Sequence, residues 1–222
     1  ERAIAADPNH ADNLGNYAVF LKDVRRDYDR AEVMYERAIA ADPNHADNLG
    51  NYAVFLKDVR RDYDRAEVMY ERAIAADPNH ADNLGNYAIF LQDVRRDADR
   101  AEVMYERAIA ADPNCVITLY NYARFLHHDR RDYDRAEAMY ERAIAADPKY
   151  ALALGKYADF LVTIRCDYGR AEIMYERAVA ADPADVDNLF NYAAFLHDVR
   201  RDYDRAEAMY ERFIEAAPDY GQ

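Results

Sequence analysis

The feature that most constrains this chain is a 35-residue period. The stretch ERAIAADPNHADNLGNYAVFLKDVRRDYDRAEVMY, Glu1 to Tyr35, recurs unchanged from Glu36 to Tyr70 and returns in altered form from Glu71, Glu106, Glu141 and Glu176. A fixed period of this size, holding two helical patterns per unit, specifies stacked helical hairpins, because one hairpin cannot bury its own apolar face. The expected fold is all-α: a solenoid of antiparallel hairpins forming an α-α superhelix, in a single domain over 1–222. It divides into a partial second helix at 1–9, six repeats at 10–44, 45–79, 80–114, 115–149, 150–184 and 185–219, and a tail at 220–222. Because the chain opens at Glu1 inside a helix pattern, without an initiator Met, it reads as a piece of a longer array.

Within one repeat, Asn9 followed by Asp12 reads as a helix start, with the Asn side chain accepting a free N–H and the acid suiting the positive helix end. Leu14, Tyr17, Ala18 and Leu21 then fall on one face of a 3.6-residue period, with Phe20 flanking it. Arg25-Arg26-Asp27 forms the turn. A second helix starts at Asp27 or Asp29, the latter pairing with Glu32 as a capping box, and buries Tyr28, Ala31, Tyr35, Ala38 and Ile39. Asp42-Pro43 stops it, since proline cannot continue a helix and drives its predecessor out of helical angles.

The pattern Leu14-x-x-Tyr17-Ala18-x-x-Leu21, Asp27-Tyr28-Asp29-x-Ala31, Tyr35-x-x-Ala38, Asp42-Pro43-Asn44 resembles the tetratricopeptide repeat (TPR) over essentially the whole chain. Three departures stand out. The period is one residue longer than the family's usual length, with the extra residue in the Lys22 to Arg26 region, so the first helix should run long and the turn should change. Leu14 stands where the family often has tryptophan, and Ala31-Glu32-x-Met34-Tyr35-Glu36-Arg37-Ala38 also resembles the half-a-TPR (HAT) motif of RNA-processing scaffolds. Proline punctuation and the recurring small residues favour the TPR type.

The formal net charge of -14 accumulates repeat by repeat and is not gathered in a tail. Nucleic acid and anionic membranes need a concentrated positive footprint, so both are excluded as expected partners, and a protein or peptide with basic residues is favoured. Cys115 and Cys166 show no metal-ligand spacing, and no apolar run is long enough to span a bilayer; reduced thiols and a cytoplasmic location are expected. No metal, cofactor or catalytic set is expected. His10, His45 and His80 are single copies in equivalent turns, too far apart for one ion, and no nucleophile with its base, glycine-rich phosphate loop or HExxH spacing occurs.

Opposite the apolar stripe of the first helix lie Asp12, Asn16, Val19 and Asp23. Resemblance to the family implies that this face lines a concave groove. Asn16, Asn51, Asn86, Asn121 and Asn191, interrupted by Lys156, form a ladder of carboxamides that would hydrogen-bond the backbone of an extended peptide. Repeats four and five depart from the rest with Ile117, Arg124 and His128, then Leu152, Lys156, Asp159 and Thr163. There Arg124 and Lys156 would hold a carboxylate or phosphate while Ile117 and Leu152 receive an apolar side chain; the alternative is that Arg124 pairs with Asp159. The leading functional expectation is a non-enzymatic scaffold binding an extended peptide. The alternatives are a structural array that self-associates through its ends into a homo-oligomer, and a HAT-like scaffold in an RNA-processing complex.

Overall fold

A computed structural model describes residues 10–217. The partial second helix expected at 1–9 and the tail at 220–222 lie outside the described residues. The described residues contain helices and turns only. Contacts divide the chain after Pro113 into two compact units, each of three helical hairpins. Unit 1 holds α1 (Ala11–Phe20) and α2 (Tyr28–Ala41), α3 (Ala46–Phe55) and α4 (Tyr63–Ala76), and α5 (Ala81–Phe90) and α6 (Ala98–Ala111). Unit 2 holds α7 (Val116–Phe125) and α8 (Tyr133–Ala146), α9 (Ala151–Phe160) and α10 (Tyr168–Ala181), and α11 (Val186–Phe195) and α12 (Tyr203–Ala216). None of these helices is long and apolar enough to cross a membrane.

The extra residue of the 35-residue period is absorbed where the spacing places it. Each first helix widens into a five-residue π-helical segment, Leu21–Arg25 in repeat one, which then closes on Arg26 in the left-handed region at φ 54°. The Asp27 N–H bonds back to the Leu21 carbonyl at 3.0 Å. Every repeat ends its first helix this way, and none uses glycine: Arg61, Arg96, Arg131, Cys166 and Arg201 have φ between 53° and 58°. Asp27 caps the second helix, its Oδ1 accepting the Arg30 N–H at 3.3 Å. The expected capping pair of Asp29 with Glu32 does not form; both carboxylates instead receive an arginine of the next repeat, which offers them two charged donors.

The first-helix cap also differs from expectation. Asn44 and Asn79, the counterparts of Asn9, sit in the Asp-Pro turn with their own N–H groups on Asp42 and Asp77. The cap passes to the next residue: His45 Nδ1 accepts from the Asn48 N–H at 3.5 Å and His80 Nδ1 from the Asn83 N–H at 3.4 Å. The other ring nitrogen reaches the preceding repeat, His45 Nε2 to Asp12 at 2.5 Å and His80 Nε2 to Asp47 at 2.7 Å.

The core follows the two helical stripes. Leu49, Tyr52, Ala53, Phe55 and Leu56 of repeat two meet Ala66, Tyr70 and Ala73, all of them buried. Tyr35 of repeat one stacks on Tyr52 at 5.5 Å and tilts against Phe55 at 5.5 Å, so the aromatic side chains join one repeat to the next. Phe20 lies at the flank, 41% exposed, whereas its counterpart Phe55, covered by Tyr35 of the preceding repeat, is fully buried. Tyr28 and its counterparts are not core: as first residue of the second helix this ring lies at the hairpin's edge, and Tyr28, Tyr168 and Tyr203 are 36%, 40% and 56% exposed.

Ionic straps bind the repeats within each unit. Arg60 reaches Glu32 and Asp29 at 2.7 Å each, and Arg65 reaches Glu32 at 3.2 Å and Glu36 at 3.3 Å while bonding the Tyr52 hydroxyl. Arg165 and Arg170 repeat this on Asp134, Glu137 and Glu141. Part of the acidic excess is thereby committed to stacking one repeat on the next.

Candidate peptide-binding face

Each first helix presents one residue from each of four rows, at offsets 0, 4, 7 and 11 along the helix and its π segment. In unit 1 the rows read Asp12, Asp47, Asp82; Asn16, Asn51, Asn86; Val19, Val54, Ile89; and Asp23, Asp58, Asp93. Asp12 and Asp47 are taken up by His45 and His80. Asp23 pairs with Lys22 at 3.2 Å and Asp58 with Lys57 at 3.3 Å, while Asp93, beside Gln92, has no ion pair among the described residues. Asn16 and Asn51 are exposed and Asn86 is half-buried; their carboxamides make no hydrogen bond among the described residues.

Beneath this face lie two hydroxyls that sequence reasoning treated only as core. Tyr35 and Tyr70 are fully buried, and neither hydroxyl has a hydrogen-bond partner. Burial first, then the charge of Asp23 or Asp58, drives both phenols well above their ordinary pKa, so both are protonated donors. The third member of the series is satisfied, Tyr105 donating to Gln92 Oε1 at 2.8 Å.

In unit 2 the same face is rebuilt. Asp159 is the hub: Tyr175 donates to its Oδ1 at 2.7 Å, and Asn191 Nδ2 and Lys156 Nζ each reach its Oδ2 at 3.3 Å. Asp159 thus serves its own helix and the next repeat, and the pairing with Arg124 weighed from sequence gives way to Lys156, which lies one helical turn away. The Arg124 guanidinium instead lies over the Tyr120 ring at 5.7 Å, and Tyr120 meets Tyr150 edge-on at 5.8 Å. His128 sits close enough to Arg124 and Lys156 that their charges add to burial in lowering its pKa. His127 stacks on His128 at 4.0 Å and edge-on to Phe160 at 5.1 Å; burial first, then His128, holds it down to about 4.

The ladder in unit 2 is therefore uneven. Asn121 has no hydrogen bond among the described residues, Lys156 is paired, and Asn191 has one amide hydrogen committed to Asp159. Ile117, 60% exposed, and Leu152, 37% exposed, lie at the opposite end of the helices from His128 and Thr163. Arg124 lies seven residues from Ile117 and Lys156 four from Leu152, about 10 and 6 Å along their helices, so the apolar and cationic positions share one face, with His128 and Thr163 at its far rim.

A further set was missed altogether. Asn48, Asn83 and Asn188 are buried, and their Nδ2 groups donate to the Ala11, Ala46 and Ala151 carbonyls of the preceding repeat at 3.1, 3.0 and 3.3 Å. Each carboxamide fills the space left by a glycine, Gly15, Gly50 and Gly155. The signal was present in the exchange of bulk at one position pair, since Tyr120 replaces the glycine where Ala153 replaces the asparagine.

The helical hairpins, their arginine straps and a polar first-helix face define a repeat scaffold that presents side chains to a macromolecular partner. The family model described as tetratricopeptide repeat matches residues 93–151 and 129–186, and the repeats outside that stretch carry the same residues at the same offsets. Residues 93–186 are thus tetratricopeptide repeats by sequence. Among curated proteins no sequence matches it. Solved structures share the fold: PilF of Pseudomonas aeruginosa at TM-score 0.79 and 20% identity, covering 94% of this chain and 92% of that one, and the type IV pilus biogenesis factor PilW at 0.78 and 19%, covering 96% and 95%. YrrB, described as a TPR protein with an unusual peptide-binding site, is similar at TM-score 0.60 and 20% identity, covering 85% of this chain and 94% of that one.

Proposed function

We propose that this chain is a non-enzymatic interaction scaffold that binds an extended peptide along the exposed faces of its first helices. The observation that carries the reading is the row of carboxamides at Asn16, Asn51, Asn86 and Asn121, recurring at the repeat period and without intrachain hydrogen bonds among the described residues. A carboxamide left free to donate and accept suits a peptide backbone whatever its side chains. Asp23, Asp58 and Asp93 along one rim favour lysine or arginine in the ligand, and disfavour nucleic acid and anionic membranes. Within unit 2, Arg124, His128 and Lys156 would supply positive charge to a bound peptide, Asn191 a partly committed amide, and Ile117 and Leu152 an apolar rim. The free thiols of Cys115 and exposed Cys166 accord with an intracellular setting.

The test is the variant carrying Asn51→Ala, Asn86→Ala and Asn121→Ala, assayed against a peptide selected from a random dodecapeptide library on the wild-type chain. Affinity should fall at least tenfold with the helical circular dichroism intact. Undiminished binding by the folded variant refutes the ladder. Light scattering across a wide concentration range should return a constant mass; a mass that climbs would put self-association of the array ahead of peptide binding.

A further inference from the structure

One place in the fold is filled in two ways. In unit 2, the Asp159 carboxylate lies between the Tyr175 hydroxyl, the Asn191 carboxamide and the Lys156 ammonium. Three repeats earlier, Tyr70, Val54 and Asn86 hold the positions of Tyr175, Asp159 and Asn191; four repeats earlier, Tyr35, Val19 and Asn51 hold them. At both places in unit 1 the donors are present and the residue at the acceptor's position, Val19 or Val54, carries no side-chain oxygen, so we take each place as a cleft that a ligand would complete. Tyr35 and Tyr70 are fully buried with unpartnered hydroxyls, and Asn51 and Asn86 have no hydrogen bond among the described residues. Buried hydroxyls without a partner are rare enough in native proteins to call for a cause, and here two occur at equivalent sites one repeat apart.

We infer that each cleft takes from its ligand the oxygen that Asp159 supplies within the chain: Tyr35 with Asn51, and Tyr70 with Asn86, are subsites for backbone carbonyl groups of the bound peptide. This rests on the peptide-binding reading above and assigns it two points of contact. The surrounding charge selects a carbonyl over a carboxylate. Asp159 is balanced by Lys156, whereas the residues at that offset in repeats one and two are the neutral Asn16 and Asn51. The carboxylates whose charge acts on the two orphaned hydroxyls are Asp23 and Asp58, which would repel a ligand acid and leave a neutral carbonyl unopposed.

The third cleft of unit 1 is closed internally. Gln92 Oε1 accepts from Tyr105, and the residue at that offset in the open clefts is Lys22 or Lys57, which has no acceptor atom. Each lysine is about four-fifths buried, with its ammonium drawn aside to Asp23 or Asp58. Entry of a carbonyl would require the lysine stem to move outward, and a basic ligand residue that takes over the aspartate would favour the movement.

The experiment measures a library-selected dodecapeptide by fluorescence anisotropy against four variants. Tyr35→Phe with Tyr70→Phe should weaken binding about 25-fold, two neutral hydrogen bonds at about fivefold each, while the Tm holds or rises because no intrachain bond is lost. Lys22→Gln with Lys57→Gln, which gives each hydroxyl the internal acceptor that Tyr105 has, should weaken binding comparably and raise the Tm. Tyr105→Phe should lower the Tm and leave affinity within about twofold. If the paired Tyr→Phe variant binds within about twofold of wild type while Asn51→Ala with Asn86→Ala binds weakly, the subsites are overturned and the peptide reading stands. A library that yields no binder, or a peptide indifferent to both pairs, overturns the peptide reading and the subsites together.

Discussion

Substituting Gly50 by alanine should be among the most damaging single-methyl additions in this chain. A Cβ at position 50 would lie 1.9 Å from Asn83 Oδ1 and 2.8 Å from its Cγ. A flexible side chain ordinarily moves aside, but Asn83 is 4% exposed and its Nδ2 is tied to the Ala46 carbonyl at 3.0 Å. Moving it breaks that bond inside the stack. Overpacking costs about 1–3 kcal/mol, and a buried polar group left without its partner about 1–3 kcal/mol. The better helix propensity of alanine offsets about 1 kcal/mol, leaving a net loss of about 3 kcal/mol.

Urea unfolding followed by circular dichroism measures the loss, and hydrogen exchange assigns it to repeats two and three, since an array opens by repeats. Adding Asn83→Ala removes the obstructing carboxamide, and the double variant should return to within about 1 kcal/mol of wild type, a coupling typical of side chains in contact. The chain has made the equivalent exchange at Tyr120 with Ala153, where both residues are buried. A Gly50→Ala cost below about 0.5 kcal/mol, or a double variant as unstable as the single one, refutes the reasoning.

Arg61 holds φ 57° at an exposed helix end, so Arg61→Gly should raise stability by up to about 1 kcal/mol in the same urea assay. His127 has a folded pKa of about 4 against its ordinary 6.5, so the fold prefers the neutral ring. Its contribution is whole above about pH 6.5 and drains away as pH falls toward 4; between pH 7 and 4.5 the Tm of wild type should drop further than that of His127→Gln. Ala98 replaces a tyrosine that sits only half-buried in other repeats, so hydrogen exchange should show repeat three slightly less protected than repeat two, by under about 1 kcal/mol. Equal or greater protection of repeat three counts against that contact.

What the sequence made legible was what one repeat settles within itself. The period, the apolar stripes, the stop at Asp42-Pro43 and the place of the extra residue between Lys22 and Arg26 are local, and the structure has them where the spacing put them. What it left illegible lies between repeats. Asp29 and Glu32 look like a capping pair until Arg60, 31 and 28 residues on, claims them. Asn48 looks like a solvated residue until it is seen filling the space above Gly15 and bonding Ala11, 37 residues back. Near-identical repeats hide such pairings because each residue has the same neighbours in every copy, and the rare substitutions expose them. Val54 and Asp159 occupy one place in the fold, as do Lys57 and Gln92. In each pair only the second carries an oxygen, and in each case a buried tyrosine donates to it. Where the chain keeps Val and Lys together, in repeats one and two, the tyrosine goes unanswered. Every repeat carries the donor tyrosine, whereas the acceptor is supplied by different residues at different offsets in repeats three and five. Two different ways of closing one hydrogen bond mark that donor as consequential, which is why the unanswered Tyr35 and Tyr70 are the positions where the proposed peptide contacts are best tested.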